Sequence, residues 1–307
     1  MDTVTSERDS LLISICFGMK YLFRALAASL LLSGFSLSAN ASLLAIDNFN
    51  NYTAGDNIDT LNGGTGWTGG WNASTATTTQ VSSESLTYTL DGFTYGGGNS
   101  FLLTGAGNNN AAIRTMTTDT SGQDYYTSFL VKYEGPSGTE TGQVDVQHGF
   151  TIAALDSSGA YASSDNMVFA NGGGRRIEAR SGGSNTDVST ILQLQTTYLV
   201  VAKFSGWDDI NGNYTTTQAW LNPAKTDEFS TDPTITASHT GPGSDQFSGI
   251  AMRFLNNTNF GGDYKVYMDD LRIGTTWDSV VIPEPGTYSL IAASIALGAV
   301  MLARRRR

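Results

Sequence analysis

Two groups of residues have the types and spacing that chemistry needs. Asp208-Asp209-Ile210-Asn211-Gly212-Asn213 gathers hard oxygen donors around a glycine. Asp208, Asp209, Asn211 and Asn213 would together suit Ca²⁺, which takes carboxylate and carbonyl oxygens. The spacing is not that of an EF-hand, and no glutamate closes it. A hairpin turn would use the same residues, because turns favour Asp, Asn and Gly. Trp67 and Trp71 flank Thr68-Gly69-Gly70 in a glycine-rich stretch. Exposed there, their rings would stack on sugar faces; the alternative is packing in a core or loop. Trp220, on the expected strand Thr216–Leu221, reads as core.

Catalytic patterns are sparse. Glycoside hydrolysis needs two carboxylates facing one cleft, about 5–9.5 Å apart. Glu84, Glu134, Glu140, Glu178, Glu228 and Glu284 are scattered, most of them at turns. Asp145, before Val146-Gln147-His148, has no partner nearby in sequence. His148 and His239 are the only histidines, which excludes a multi-histidine zinc site. No Gly-x-Ser-x-Gly elbow supports a serine nucleophile. Ser181-Gly182-Gly183-Ser184 reads as a turn. The expectation is a non-enzyme.

The two ends of the chain read as an export leader and a membrane tail, the latter an ordinary C-terminal anchor or a targeting signal. Lys20 and Arg24 precede the apolar stretch Ala25–Leu37, and Ala39-Asn40-Ala41 offers small residues to a signal peptidase. Residues 1–41 are thus expected to be a signal peptide cleaved before Ser42. Met19-Lys20 would be an ordinary start, so Met1–Gly18 is either a misassigned upstream start or a long leader. At the other end, segment 281–307 contains Pro283-Glu284-Pro285, a charge-free run from Gly286 to Ala303, and Arg304-Arg305-Arg306-Arg307. The prolines exclude regular helix or sheet at the motif. Residues 287–303 are expected to form a membrane helix, at the short end for a span of about 20 residues. The arginines stop it on the cytoplasmic side, leaving everything before Pro283 outside.

Between these ends, residues 42–282 carry ten Lys/Arg against 24 Asp/Glu, a net charge of −14. That balance argues against nucleic acid and anionic membrane surfaces as partners. It suits divalent cations and neutral glycans. The one cysteine, Cys16, lies in the leader, so the mature chain has no disulfide or thiol chemistry.

The body, residues 42–280, reads as one all-β domain. Strand-like runs are Leu44–Phe49, Leu86–Leu90, Ser100–Leu103, Ala111–Met116, Tyr125–Tyr133, Val146–Leu155 and Met167–Ala170. Further runs are Arg175–Ala179, Val188–Leu194, Tyr198–Phe204, Thr216–Leu221, Gly249–Leu255 and Tyr264–Ile273. Glycine and asparagine clusters such as Gly96–Gly98, Gly105–Asn110 and Gly172–Gly174 read as turns. Alternation in Tyr264–Ile273 is imperfect. Val280–Pro285 reads as a short tether. Short strands with such turns predict a two-sheet antiparallel β-sandwich, or jelly roll.

Pro-Glu-Pro, a short apolar span and terminal arginines, in that order, resemble the PEP-CTERM sorting signal of Gram-negative bacteria. The resemblance implies that an exosortase reads Pro283, Glu284 and Pro285, and that the protein passes through the inner membrane to the cell surface or medium. It also implies association with exopolysaccharide and biofilm. The body is similar to a concanavalin A-like, laminin-G-like jelly roll. The matching pieces are Asp47–Gly55 leading into Asn62–Trp71, Tyr198–Phe204 with Ala219–Pro223, and Met268–Gly274. That likeness implies neighbouring first and last strands, and so a second metal candidate joining Asp47 with Asp269 or Asp270. The expected function is a non-catalytic carbohydrate-binding or interaction module. A glycan-active hydrolase or lyase of the same fold, and a purely structural surface protein, are the alternatives.

Export gives a direct test. The mature N-terminus should be Ser42, read by N-terminal sequencing of the exported protein. A mature chain that keeps Met19 to Ala41 would refute the leader.

Overall fold

The computed structural model describes residues 43–73, 79–104, 107–118, 122–139, 141–144, 148–155, 167–170, 175–243, 247–256 and 264–281. The leader 1–41, Asp145, Pro283-Glu284-Pro285, the run 287–303 and Arg304–Arg307 lie outside them. Among the described residues no helix is long and apolar enough to cross a membrane.

Two antiparallel sheets form a sandwich. The first has the order β15 (Thr236–Thr240), β14 (Asn213–Leu221), β13 (Thr197–Asp208), β8 (Tyr125–Glu134), β17 (Lys265–Gly274), β6 (Ser100–Thr104) and β3 (Thr79–Ser82). β1 (Leu43–Asp47) also pairs with β17. The second has the order β12 (Ser184–Asp187), β11 (Ile177–Ser181), β10 (Met167–Ala170), β9 (His148–Ala154), β16 (Gly249–Asn256), β7 (Gly107–Thr115) and β2 (Asn72–Ala73). A separate hairpin joins β4 (Thr87–Leu90) and β5 (Phe93–Gly96). A single helical turn, α1, spans Trp277–Val281.

The central strands of the first sheet are buried on both faces. Phe129, Val131, Val200, Ala202 and Phe204 point between the sheets, where they meet Ala112, Ile152, Ala179 and Ile250. Leu130, Leu199, Val201, Tyr126 and Trp220 point the other way. There a second core forms under Tyr95 of the hairpin and under Trp277, Val280 and Val281 of α1. Burial on both faces explains the unbroken apolar run Tyr198–Ala202, since alternation is needed only where one face meets water. Trp220 is core, as its place on a strand implies, with its ring edge-on to Trp277 at 5.1 Å.

α1 corrects the tether expected from Val280. Thr276 and Ser279 cap the turn reciprocally: the Ser279 hydroxyl donates to the Thr276 carbonyl at 2.6 Å, and the Ser279 N–H donates to the Thr276 hydroxyl at 3.2 Å. The Val280 carbonyl accepts the Ser128 hydroxyl at 2.9 Å, and the Val281 carbonyl accepts the Tyr95 phenol. The fold therefore continues through Val281.

Other expectations also shift. No strand forms over Val188–Leu194; Val188, Leu192 and Leu194 are buried, but their backbone bonds go to scattered partners (Ile177, Arg175, Val144 and Gly142) and build no ladder. Burying alternate apolar residues from a loop gives the same pattern as a strand. β7 begins inside the expected turn Gly105–Asn110. The polar strands β12 and β15 carry little apolar signal and escape a reading based on it.

The imperfect alternation in β17 has a physical cause. Val266 and Met268 face the inter-sheet core, and so do Leu271 and Ile273. Keeping both pairs inward requires an extra residue, and the register with β8 slips between Asp269 and Arg272. Asp270 takes φ 49° there. The bulge also divides one edge of β17 between two partners: Lys265–Met268 pair with β6, and Leu271–Gly274 pair with β1.

Asp269 sits at this bulge, fully buried. It accepts N–H bonds from Asp270 at 2.6 Å and Gly97 at 3.2 Å. Burial pushes its carboxyl up to about 8; the charges of Asp270 and Asp47 add to the rise, and the two N–H bonds oppose it. Between its ordinary value and about 8, the folded chain holds a proton that the unfolded chain releases. This contribution is therefore fully present at low pH and is lost as pH rises through that window. Asp269→Asn should flatten the fall in melting temperature between about pH 4 and pH 8. An unchanged slope would show that Asp269 does not set it.

Candidate functional site

The most heavily bonded polar centre lies between the sheets. Asp47 ends β1 in the first sheet, and Arg114 stands on the inner face of β7 in the second. They form an ion pair with both side chains almost fully buried. Asp47 also accepts the Tyr52 phenol at 2.7 Å, the Trp71 indole N–H at 3.0 Å and the Phe49 N–H at 3.0 Å. Arg114 donates to the carbonyls of Gly69 and Gly63, to the Asn62 amide and to Tyr52 Oη. Burial, and then the charge of Asp47, push the Tyr52 phenol up to about 12.

This centre corrects the expectation of exposed tryptophans. Trp67 and Trp71 are 8% and 1% exposed. Their rings lie 4.9 and 5.3 Å from the Arg114 guanidinium carbon. Trp71 stacks on Phe101 at 5.8 Å with an interplanar angle of 7°. The loop glycines serve close approach instead of exposure: a Cβ on Gly66 would come within 1.9 Å of the Leu44 carbonyl oxygen, and on Gly64 within 2.1 Å of that of Ile46. These rings hold the loop against the core and offer no sugar platform.

The Asp208–Asn213 segment forms the β13–β14 turn. The Asp208 carboxylate accepts the N–H groups of Ile210 at 2.9 Å and Asn211 at 3.2 Å, and the Asn211 amide at 2.6 Å. These bonds, the Asn211 amide first, hold its carboxyl below the usual range. Asp208 thus serves as a turn former. β1 and β17 do neighbour each other, with Asp47 opposite Leu271. Each aspartate has its own partners, however: Asp47 has Arg114, and Asp270 has Arg272 at 2.9 Å. Among the described residues no group of three or more His, Cys, Asp or Glu could hold a metal ion.

Two cavities open at one end of the first sheet, where β8 begins, β17 ends and β13 turns into β14. The smaller, about 270 Å³, is lined by Asp124, Tyr126, Glu228, Thr275, Thr276, Trp277 and Asp278. The Tyr126 phenol donates to Glu228 at 2.6 Å. Lys203 pairs with Asp124 at 3.0 Å and lies 5.1 Å from the Tyr126 ring. Burial pushes the Tyr126 phenol up to about 12, with the Glu228 bond adding to it. Burial would lower Lys203, but its bonds to Tyr126 and Asp124 outweigh that and raise it. Of the three carboxylates in the lining, Glu228 thus accepts from Tyr126 and Asp124 from Lys203. The larger cavity, about 600 Å³, is lined by Asp208, Asn211, Asn213, Thr215, Thr240, Gly241 and Pro242.

The smaller cavity left no signal in the sequence, because its residues come from three distant segments. Arg114 did leave one: it is a lone cation on the same strand face as Ala112 and Met116 in the expected strand Ala111–Met116.

These features define an antiparallel β-sandwich with polar cavities at one sheet end. No protein-family model matches the chain, and no curated protein matches it. Among solved structures it is similar to the botulinum neurotoxin serotype C1 binding domain, with TM-score 0.41 and 10% identity over 77% of this chain and 49% of that one. It is also similar to domain 4 of AbnA, a GH43 extracellular arabinanase from Geobacillus stearothermophilus, in complex with arabinotriose. There the TM-score is 0.42 and the identity 14%, over 78% of this chain and 96% of that one. The chain spans about half the length of the toxin domain it matches. Likeness at this level says nothing of a ligand.

Arg114→Met should be severely destabilising, by about 3–5 kcal/mol, because it strands the buried Asp47 charge. Adding Asp47→Asn should recover part of the loss. Urea denaturation of the single and double variants measures both. Equal loss in the two would show that the ion pair is not coupled.

Proposed function

We propose that this chain is an exported surface or extracellular-matrix protein whose β-sandwich is a non-catalytic, polysaccharide-binding module of the concanavalin A-like jelly-roll kind. The Tyr126–Glu228–Trp277 cavity carries this reading. Its hydroxyls and carboxylates suit the hydroxyl groups of a sugar, and the aromatic residues Tyr126 and Trp277 line it. Tyr126 and Lys203 already engage two of its three carboxylates, Glu228 and Asp124, which disfavours those two as a proton-shuttling pair. The reading of the tail comes from the sequence: an exosortase reads Pro283-Glu284-Pro285 and a signal peptidase removes the leader. Any calcium at Asp208, Asp209, Asn211 and Asn213 would require the turn to give up its own bonds.

Calorimetric titration of the exported protein with neutral polysaccharides tests the module. Glu228→Ala should weaken binding by about tenfold or more, since a bond to a charged group is lost. Release of reducing ends by the wild type would overturn the non-catalytic reading. Pro283→Ala with Pro285→Ala tests sorting in a host that has an exosortase. The full-length form should accumulate in the membrane; a distribution identical to wild type would leave a plain membrane anchor.

A further inference from the structure

The larger cavity contains a polar atom that the fold leaves unused. Asn213 Oδ1 is buried and has no hydrogen-bond partner. It belongs to a residue that lines the cavity beside Thr215, Thr240 and Gly241. A buried acceptor without a donor is costly, and native proteins rarely keep one without a reason. Several neighbouring groups carry bonds of their own. The Thr215 hydroxyl donates to the Gly206 carbonyl at 2.7 Å. The Gly241 N–H donates to the Thr215 carbonyl at 2.8 Å, and the Ser181 hydroxyl donates to the Gly241 carbonyl at 2.6 Å. The wall is therefore held in place while one acceptor in a lining residue stays unpartnered.

We propose that this cavity is a saccharide subsite in which Asn213 turns its unpartnered Oδ1 into the cavity to accept a sugar hydroxyl. The inference rests on the reading of the body as a polysaccharide-binding module and gives it a second contact point. The lining chemistry selects the ligand class. Amides, hydroxyls and one carboxylate engaged in its own turn offer hydrogen bonds to a neutral polyol. A cation would need free carboxylate oxygens, and those of Asp208 already accept three N–H donors. Ile210, next to the lining residue Asn211, is a 93% exposed apolar side chain at the turn. Both cavities lie at the same end of the first sheet. Gln123, just before β8, joins their surroundings, because its carbonyl accepts the Tyr214 phenol at 2.8 Å. A polymer is the ligand that gains from two such points, since the second contact is made within one chain.

The exported wild-type protein, Asn213→Ala and Thr240→Val are titrated with neutral gluco- and xylo-oligosaccharides of graded length. Melting temperatures are recorded with and without millimolar Ca²⁺. The expected result is binding that tightens with length, and a loss of about fivefold in Asn213→Ala. Thr240→Val lies on the facing strand, outside the turn, and should weaken binding without disturbing the hairpin if Asn213→Ala unfolds. Wild-type binding that neither variant changes overturns this subsite and leaves the module reading standing. No wild-type binding to any neutral saccharide overturns both. A Ca²⁺-induced rise in melting temperature that Asn213→Ala abolishes overturns the saccharide assignment in favour of a cation.

Discussion

The fold depends on a charge pair placed where charges are costly. Asp47 and Arg114 come from different sheets and meet in the interior. Burying two ions costs several kcal/mol each, and their attraction offsets this only when the remaining donors and acceptors are also satisfied. That requirement shapes the loop between β1 and β2. Residues 48–71 must bring in Tyr52, Asn62, Gly63, Gly69 and Trp71 to complete the set. The loop lies against β1 closely enough that only glycine fits at positions 64 and 66. Trp67 and Trp71 then shield the pair from water, which strengthens every bond inside it.

The same economy of partners governs the bulge in β17. One strand edge serves both β6 and β1, and an extra residue at Asp269–Asp270 lets inward residues stay inward on both sides of the junction. The cost is a carboxylate buried beside two others, seen in the raised pKa of Asp269. The bulge also turns the β4–β5 hairpin into a cap. Asp270 accepts the Gly96 N–H at 3.0 Å, and Asp269 accepts that of Gly97. Tyr95 is thereby set over the outer face, where it holds the end of α1. Ion pair, bulge and second core form one connected arrangement.

How much of this the sequence shows depends on the range of each interaction. Strands such as β8 and β13 are legible because their side chains alone declare burial. The turn at Asp208–Asn213 is legible as a turn because its bonds are local. The bulge left a trace in the broken alternation of Tyr264–Ile273, but reading it required knowing which face was inside. The tryptophan pair was ambiguous because a glycine-rich loop looks the same whether it is free or pressed against a strand. The cavity around Tyr126 was not legible at all. Asp124, Glu228 and Trp277 are brought together only by strand order, and no local pattern records strand order.

The position of α1 links the cavity to the proposed sorting of the chain. Trp277 and Asp278 are at once the first residues of α1 and part of the cavity wall. The helix is held at its far end by Tyr95 and Ser128, so the wall is intact only if the chain is intact through Val281. Ile282 alone separates that point from Pro283. Cleavage at or beyond the Pro-Glu-Pro motif would leave the second core and the cavity whole. Cleavage even a few residues earlier would free Val280 and Val281 from their seat and open the wall. With Pro-Glu-Pro directly after Val281, the last of the described residues, the proposed sorting cut would remove the tail without loss of the cavity wall, with almost no slack before it reached the fold.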